Sequence, residues 1–96
     1  MSLPLDATEA LIADLTRRME SLRSATYEGR DIDGLAVVTI TGEGEVIAVQ
    51  LAQTMARHTP EEVADAIRTG LEAAQQQLAQ AYTQLAHQAE EWEQQQ

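Results

Sequence analysis

The stretch Tyr27–Leu51, YEGRDIDGLAVVTITGEGEVIAVQL, is where this chain stops reading as helix. Gly29, Gly34, Gly42 and Gly44 cut it into short pieces, and β-branched residues crowd the intervals between them. The spacing predicts three strands, at about 25–32, 34–41 and 45–51. In the second, Leu35, Val37, Thr39 and Thr41 alternate with Ala36, Val38 and Ile40; in the third, Ile47, Val49 and Leu51 alternate with Val46, Ala48 and Gln50. Apolar residues on both sides of each strand predict a small antiparallel sheet that is covered partly on both faces. The Gly42–Gly44 turn does not read as a phosphate loop: Glu43 and Glu45 place negative charge there, and a strand rather than a helix follows.

Helical periodicity flanks this centre. Asp6, followed three residues later by Glu9 and preceded by Pro4, resembles a capping box, and Ile12, Leu15, Met19 and Leu22 then recur at steps of three and four. The first helix is expected over about Asp6 to Ala25. Downstream, HTPEEVADAI at 58–67 carries a helix start: Thr59 as cap, Pro60 where a missing N–H costs nothing, and Glu61, Glu62 and Asp65 near the positive helix end. A long second helix follows to about Glu91, with Leu71, Leu78, Leu85 and Trp92 at intervals of seven. At 1.5 Å per residue it would be about 48 Å long, far more than a compact chain of this size can enclose, so its distal half projects. Gly70, spaced four residues from Ala66 and from Ala74, marks a close crossing by another element.

The order helix, three-stranded meander, long helix defines an α+β fold in a single domain, 1–96, with an ordered core at about 6–88 and a fraying tail at 89–96. The core it can build alone is thin. Of 96 residues 44% are hydrophobic, but many are alanine, phenylalanine and cysteine are absent, and Tyr27, Tyr82 and Trp92 are the whole aromatic complement. Disulfides and thiolate metal sites are thereby excluded as supplements, which leaves a second subunit. No apolar run reaches the roughly 20 residues of a membrane span, and the N-terminal segment lacks the pattern of a signal peptide, so a cytoplasmic location is expected.

The segment Tyr27–Leu51 resembles the YbaB/EbfC family of small nucleoid-associated proteins, through Gly29, Gly34, Val38, Thr39, Ile40, Gly42, Val46 and Val49, and the alanine-rich last helix from Pro60 extends the likeness over nearly the whole chain. The resemblance implies a homodimer joined through the sheet, with paired helices projecting as arms, and double-stranded DNA as partner, bound in the nucleoid. Leu35, Val37, Val38, Ile40, Ile47, Val49 and Leu51 are then the candidate dimer residues. Ile12, Leu15, Met19, Leu22, Leu71, Leu78 and Leu85 are the candidates for packing between helical arms. The chain departs from the family pattern where members often carry a basic residue: Val37 stands in the second strand, Gln75, Gln76 and Gln77 on the last helix, and Glu90, Glu91 and Glu93 at its end.

Six arginines and no lysine oppose 16 acids, for a formal charge of −10. Arg17, Arg18 and Arg23 on the first helix are the main candidates for phosphate contact, with Arg30 and Arg68 behind them. Catalysis and metal binding find no framework, and no cofactor is expected: His58 and His87 are far apart, and Ser2, Ser21 and Ser24 lack a histidine–acid arrangement. The pairs Asp31/Asp33 and Glu61/Glu62 read as loop solvation and helix-start charge. Two functions remain: a sequence-tolerant DNA-binding homodimer, or an acidic adaptor on the same fold that binds another protein.

Overall fold

A computed structural model of the chain describes the backbone of residues 5–94 and the side chains of residues 8–91. The Asp6–Glu9 capping pair and Trp92 involve side chains outside that range. Helix α1, Leu5–Ser24, is followed by strands β1, Thr26–Arg30, β2, Ala36–Thr41, and β3, Val46–Leu51; a 3-10 turn at Gln53–Arg57 leads into helix α2, Pro60–Gln94. The strands form one antiparallel sheet in the order β1-β2-β3. The expected α+β architecture is therefore present, and α2 stays helical past residue 88, where the ordered core was expected to end.

Local chemistry explains the joints. α1 stops where the Ser24 hydroxyl turns back to donate to the carbonyls of Glu20 and Ser21. Between β1 and β2 the carboxylate of Asp31 accepts from the Ala36 N–H at 2.8 Å, while Gly34, at φ +70°, donates to the Asp31 carbonyl. Asp31 is thus a buried turn-former rather than a solvated loop acid. Between β2 and β3 the Thr41 hydroxyl accepts from the N–H groups of Glu43 and Glu45, and Gly44 takes φ +89°. Thr59 caps α2 by accepting from the Glu62 N–H at 3.2 Å. The Glu62 carboxylate turns to His58 Nδ1 at 2.6 Å, and that hydrogen bond holds its pKa below the ordinary glutamate value.

α2 packs on one face of β1 and β2, over Ala36, Val38 and Ile40, with Tyr27, Leu71, Leu78, Ala74 and Ile67 closing the core. A second small cluster joins Ala36 to Met55 and Ala66 beneath Leu35, Val63 and Ile67. The close crossing at Gly70 is made by β1. A β-carbon on Gly29 would lie 2.1 Å from the Ala74 nitrogen and 2.1 Å from the Gly70 carbonyl oxygen, so strand and helix touch backbone to backbone. Gly42 plays the same part where β2 ends against α1, a β-carbon there falling 1.8 Å from the Leu22 carbonyl. Two tyrosines fasten this junction: Tyr82 donates to the Gly42 carbonyl at 3.2 Å and Tyr27 to the Leu22 carbonyl at 3.3 Å. Burial, and then the neighbouring Tyr82, raise the Tyr27 pKa.

β3 receives no such cover. Val46, Ile47, Val49 and Leu51 are each between 41% and 55% exposed, because α2 spans only the other two strands. Opposite Thr39 and Ile40 the register slips, with Thr39 facing Ala48 and Ile40 facing Val46. Ile47 is the extra residue of a β-bulge. Val46 therefore shares the helix-side face with Val49 and Leu51, opposite Ile40, Val38 and Ala36, instead of lying behind them as strict alternation predicts.

The molecule is a rod of 66 × 20 × 15 Å with a radius of gyration of 18.8 Å, where a compact chain of this length would have about 12–13 Å. Along the distal half of α2, Leu11, Leu15 and Leu22 of α1 line a seam with Ala81, Leu85 and Ala89. The heptad leucines are divided between two partners: Leu71 and Leu78 pack on the sheet and Leu85 on α1. Ile12 and Met19, expected in the seam, face outward.

Candidate nucleic-acid interface

Charge is distributed unevenly along the rod. At the sheet end, the β1–β2 turn and the start of α2 gather Asp31, Asp33, Glu62 and Asp65 around a cleft of about 220 Å³. Glu90 and Glu91 lie near the far end of α2. Between them, from Gln75 to Ala89, α2 carries no acid and no arginine, only glutamines, His87, Tyr82, Thr83, alanines and leucines. This neutral stretch is what α1 lies against, and the second half of α1 bears Arg17, Arg18 and Arg23.

The two helices enclose an open cleft of about 450 Å³, lined on α1 by Asp14, Arg17, Arg18 and Ser21 and on α2 by Gln84 and Gln88, with Leu22, Ala81 and Leu85 as its floor. Arg17 and Arg18 each pair with Asp14, one on each carboxylate oxygen, both at 3.0 Å. Arg18 also donates to the Gln88 side-chain carbonyl, tying α1 to α2. Arginine forks, amide N–H groups and a hydroxyl converging on one groove make a chemically apt seat for phosphate oxygens.

The five arginines singled out from the sequence fall into two settings. Arg17 and Arg18 share the cleft, and Arg23, in the last turn of α1, is exposed near it with no carboxylate partner among the described residues. Arg30 ends β1 opposite Val37, beside the Asp31–Asp33 turn, and Arg68 pairs with Asp65 at 3.3 Å. Those two stand on the acidic end, apart from the cleft.

Ser21, Gln84 and Gln88 escaped sequence reasoning because uncharged side chains carry no signal until a facing helix is known. The trace available was the i, i+4 spacing of Gln84 and Gln88 on either side of Leu85. Among the described residues no cluster of three or more histidines and acids could hold a metal ion. No helix among them is long and apolar enough to cross a membrane.

Of the candidate dimer residues, Val38 and Ile40 are buried under α2 within a single chain, 1% and 0% exposed, and so belong to its own core. Leu35 and Val37 are half-buried, and Ile47, Val49 and Leu51 are on the surface.

A helix, a three-stranded meander and a projecting helical hairpin with an arginine–glutamine seam define a small α+β protein. The profile of the YbaB/EbfC DNA-binding family matches residues 5–92, and the chain belongs to that family. Among solved structures, the fold is similar to that of the uncharacterized protein HP0035 from Helicobacter pylori, with a TM-score of 0.64 and 14% sequence identity over 84% of this chain and 95% of that one. No curated protein matches the sequence. The family is nucleoid-associated and DNA-binding, and it is not known for catalysis.

Proposed function

We propose that this chain works as a homodimer that binds double-stranded DNA through its phosphates, with little sequence preference, to organise the nucleoid or regulate genes. The observation that carries the DNA reading is the seam itself, where Arg17 and Arg18 line a cleft with Gln84 and Gln88 of α2, and Arg23 follows on the last turn of α1. Two chains would sum to a formal charge of −20, twice the −10 of one. Yet the screening length is about 10 Å at 0.1 M salt, several times less than the 66 Å rod, so the carboxylates of the sheet end act weakly on a phosphate held at the seam, where Asp14 and Glu91 are the opposing charges.

Dimerisation is supported by surface area. One chain exposes 7068 Å², roughly 1,600 Å² more than the roughly 5,400 Å² usual for a folded monomer of its mass. A standard interface buries about 800 Å² per partner, so a second copy seated against β3 is well within that excess.

The test is fluorescence anisotropy with random-sequence duplex DNA across a salt series. Binding should weaken steeply with salt, and replacing Arg17, Arg18 and Arg23 with alanine should abolish it at 100 mM salt and flatten its slope, each lost phosphate contact removing about 0.9 from the log–log gradient. The double replacement of Arg30 and Arg68 should do much less. Absence of binding at low salt would turn the reading toward the acidic protein adaptor.

A further inference from the structure

We infer that Asp14 is a built-in competitor for the phosphate seat, setting how tightly the seam holds DNA; this rests on the DNA reading above. Its two carboxylate oxygens each take one arginine, Oδ1 from Arg17 and Oδ2 from Arg18, so one carboxylate occupies the two guanidinium groups that a phosphate at this seat would need. It lies on the wall of the cleft with Ser21, Gln84 and Gln88, not at a distance from it. Arg17 is 74% and Arg18 47% exposed in this paired state, so both guanidinium groups are open to solvent while their charge is already half-answered.

DNA binding at this site is therefore an exchange. A phosphate takes the arginines and Asp14 is released to water. Exposed ion pairs of this kind are weak, which makes the exchange easy but not free. The aspartate lowers affinity without closing the site.

The experiment compares the full-length protein with Asp14→Asn, with Glu61→Gln, and with Asp14→Asn combined with Arg17→Ala and Arg18→Ala, against a random-sequence 20-base-pair duplex. Glu61→Gln makes the same change in net charge at the acidic end, where Glu61 has no arginine partner among the described residues. Asp14→Asn should tighten binding about ten-fold at 50 mM salt, the size expected when two exposed pairs no longer need breaking, and should steepen the salt dependence. Glu61→Gln should change it less than two-fold, and the gain should vanish in the triple variant. If the wild type binds through its arginines but Asp14→Asn equals Glu61→Gln, or the gain survives without the arginines, the competitor role is overturned and the DNA reading stands. If neither the wild type nor Asp14→Asn binds at low salt, both fall together.

Discussion

Replacement of Gly29 by alanine is expected to remove more than half of this protein's folding stability at room temperature. The added methyl group would sit 2.1 Å from two backbone atoms of α2 and 2.8 Å from a third, at Ala73. Neither neighbour is the end of a side chain that could swing away, so β1 and α2 must separate by about 1 Å along their shared length. That separation opens the layer in which Val38, Ile40 and Ala74 are fully buried, half of the buried hydrophobic core and its two largest fully buried side chains. Overpacking of this severity costs about 3 kcal/mol or more, against a stability of about 5 kcal/mol for a domain this small. Urea denaturation followed by circular dichroism should show the loss. Gly34→Ala is the matched control: its left-handed backbone is strained by a side chain but it has open space around it, and about 1 kcal/mol is expected.

The second large effect is on assembly. Aspartate at both Val49 and Leu51 should convert the proposed dimer into a monomer at micromolar concentration. Within one chain these side chains are 41% and 46% exposed, and changing both costs the isolated protomer about 1–2 kcal/mol in strand propensity and partial burial. Against a second copy, each would place an unpaired carboxylate in an apolar contact, a penalty of several kcal/mol and a loss in affinity of a thousand-fold or more. The variant also separates the two accounts of β3. A chain content as a monomer would lower its melting temperature by no more than this cost, whereas a dimer-dependent one would lose far more, along with the concentration dependence seen in the wild type. DNA binding would weaken with it, because one protomer offers one seam instead of two.

Most of the fold was legible because its signals are local. Glycine spacing, period-two alternation and the Thr59–Pro60 start identify strands and helix without reference to anything distant, and the small residues Ala66, Gly70 and Ala74 announced a close crossing. What they could not announce was the partner in that crossing, Gly29, since two glycines 41 residues apart carry no mark of belonging together. Alternation also cannot say which face of a strand a helix will choose. The resemblance placed Val38 and Ile40 among interface residues when α2 takes them for the chain's own core, and alternation failed at Val46 because a single bulge at Ile47 reverses the order beyond it.

The site was legible in part for a similar reason. Clustered arginines on α1 stand out in the sequence, but their meaning depends on what faces them. Asp14 was within reach of sequence reasoning, being three and four residues before Arg17 and Arg18 on a helix. The glutamines were not, since they matter only because α2 returns alongside α1. Asp31 was misread as a solvated acid because its burial arises from the turn it closes, and that turn exists only once β1 and β2 are paired.

Sedimentation equilibrium of the wild-type protein at low micromolar concentration, with its helical content followed in parallel, tests the central claim most directly. A twofold assembly that shelters β3 predicts a species of twice 10.5 kDa that loses structure as it dissociates on dilution. A fully folded species of 10.5 kDa, stable on further dilution, would contradict it.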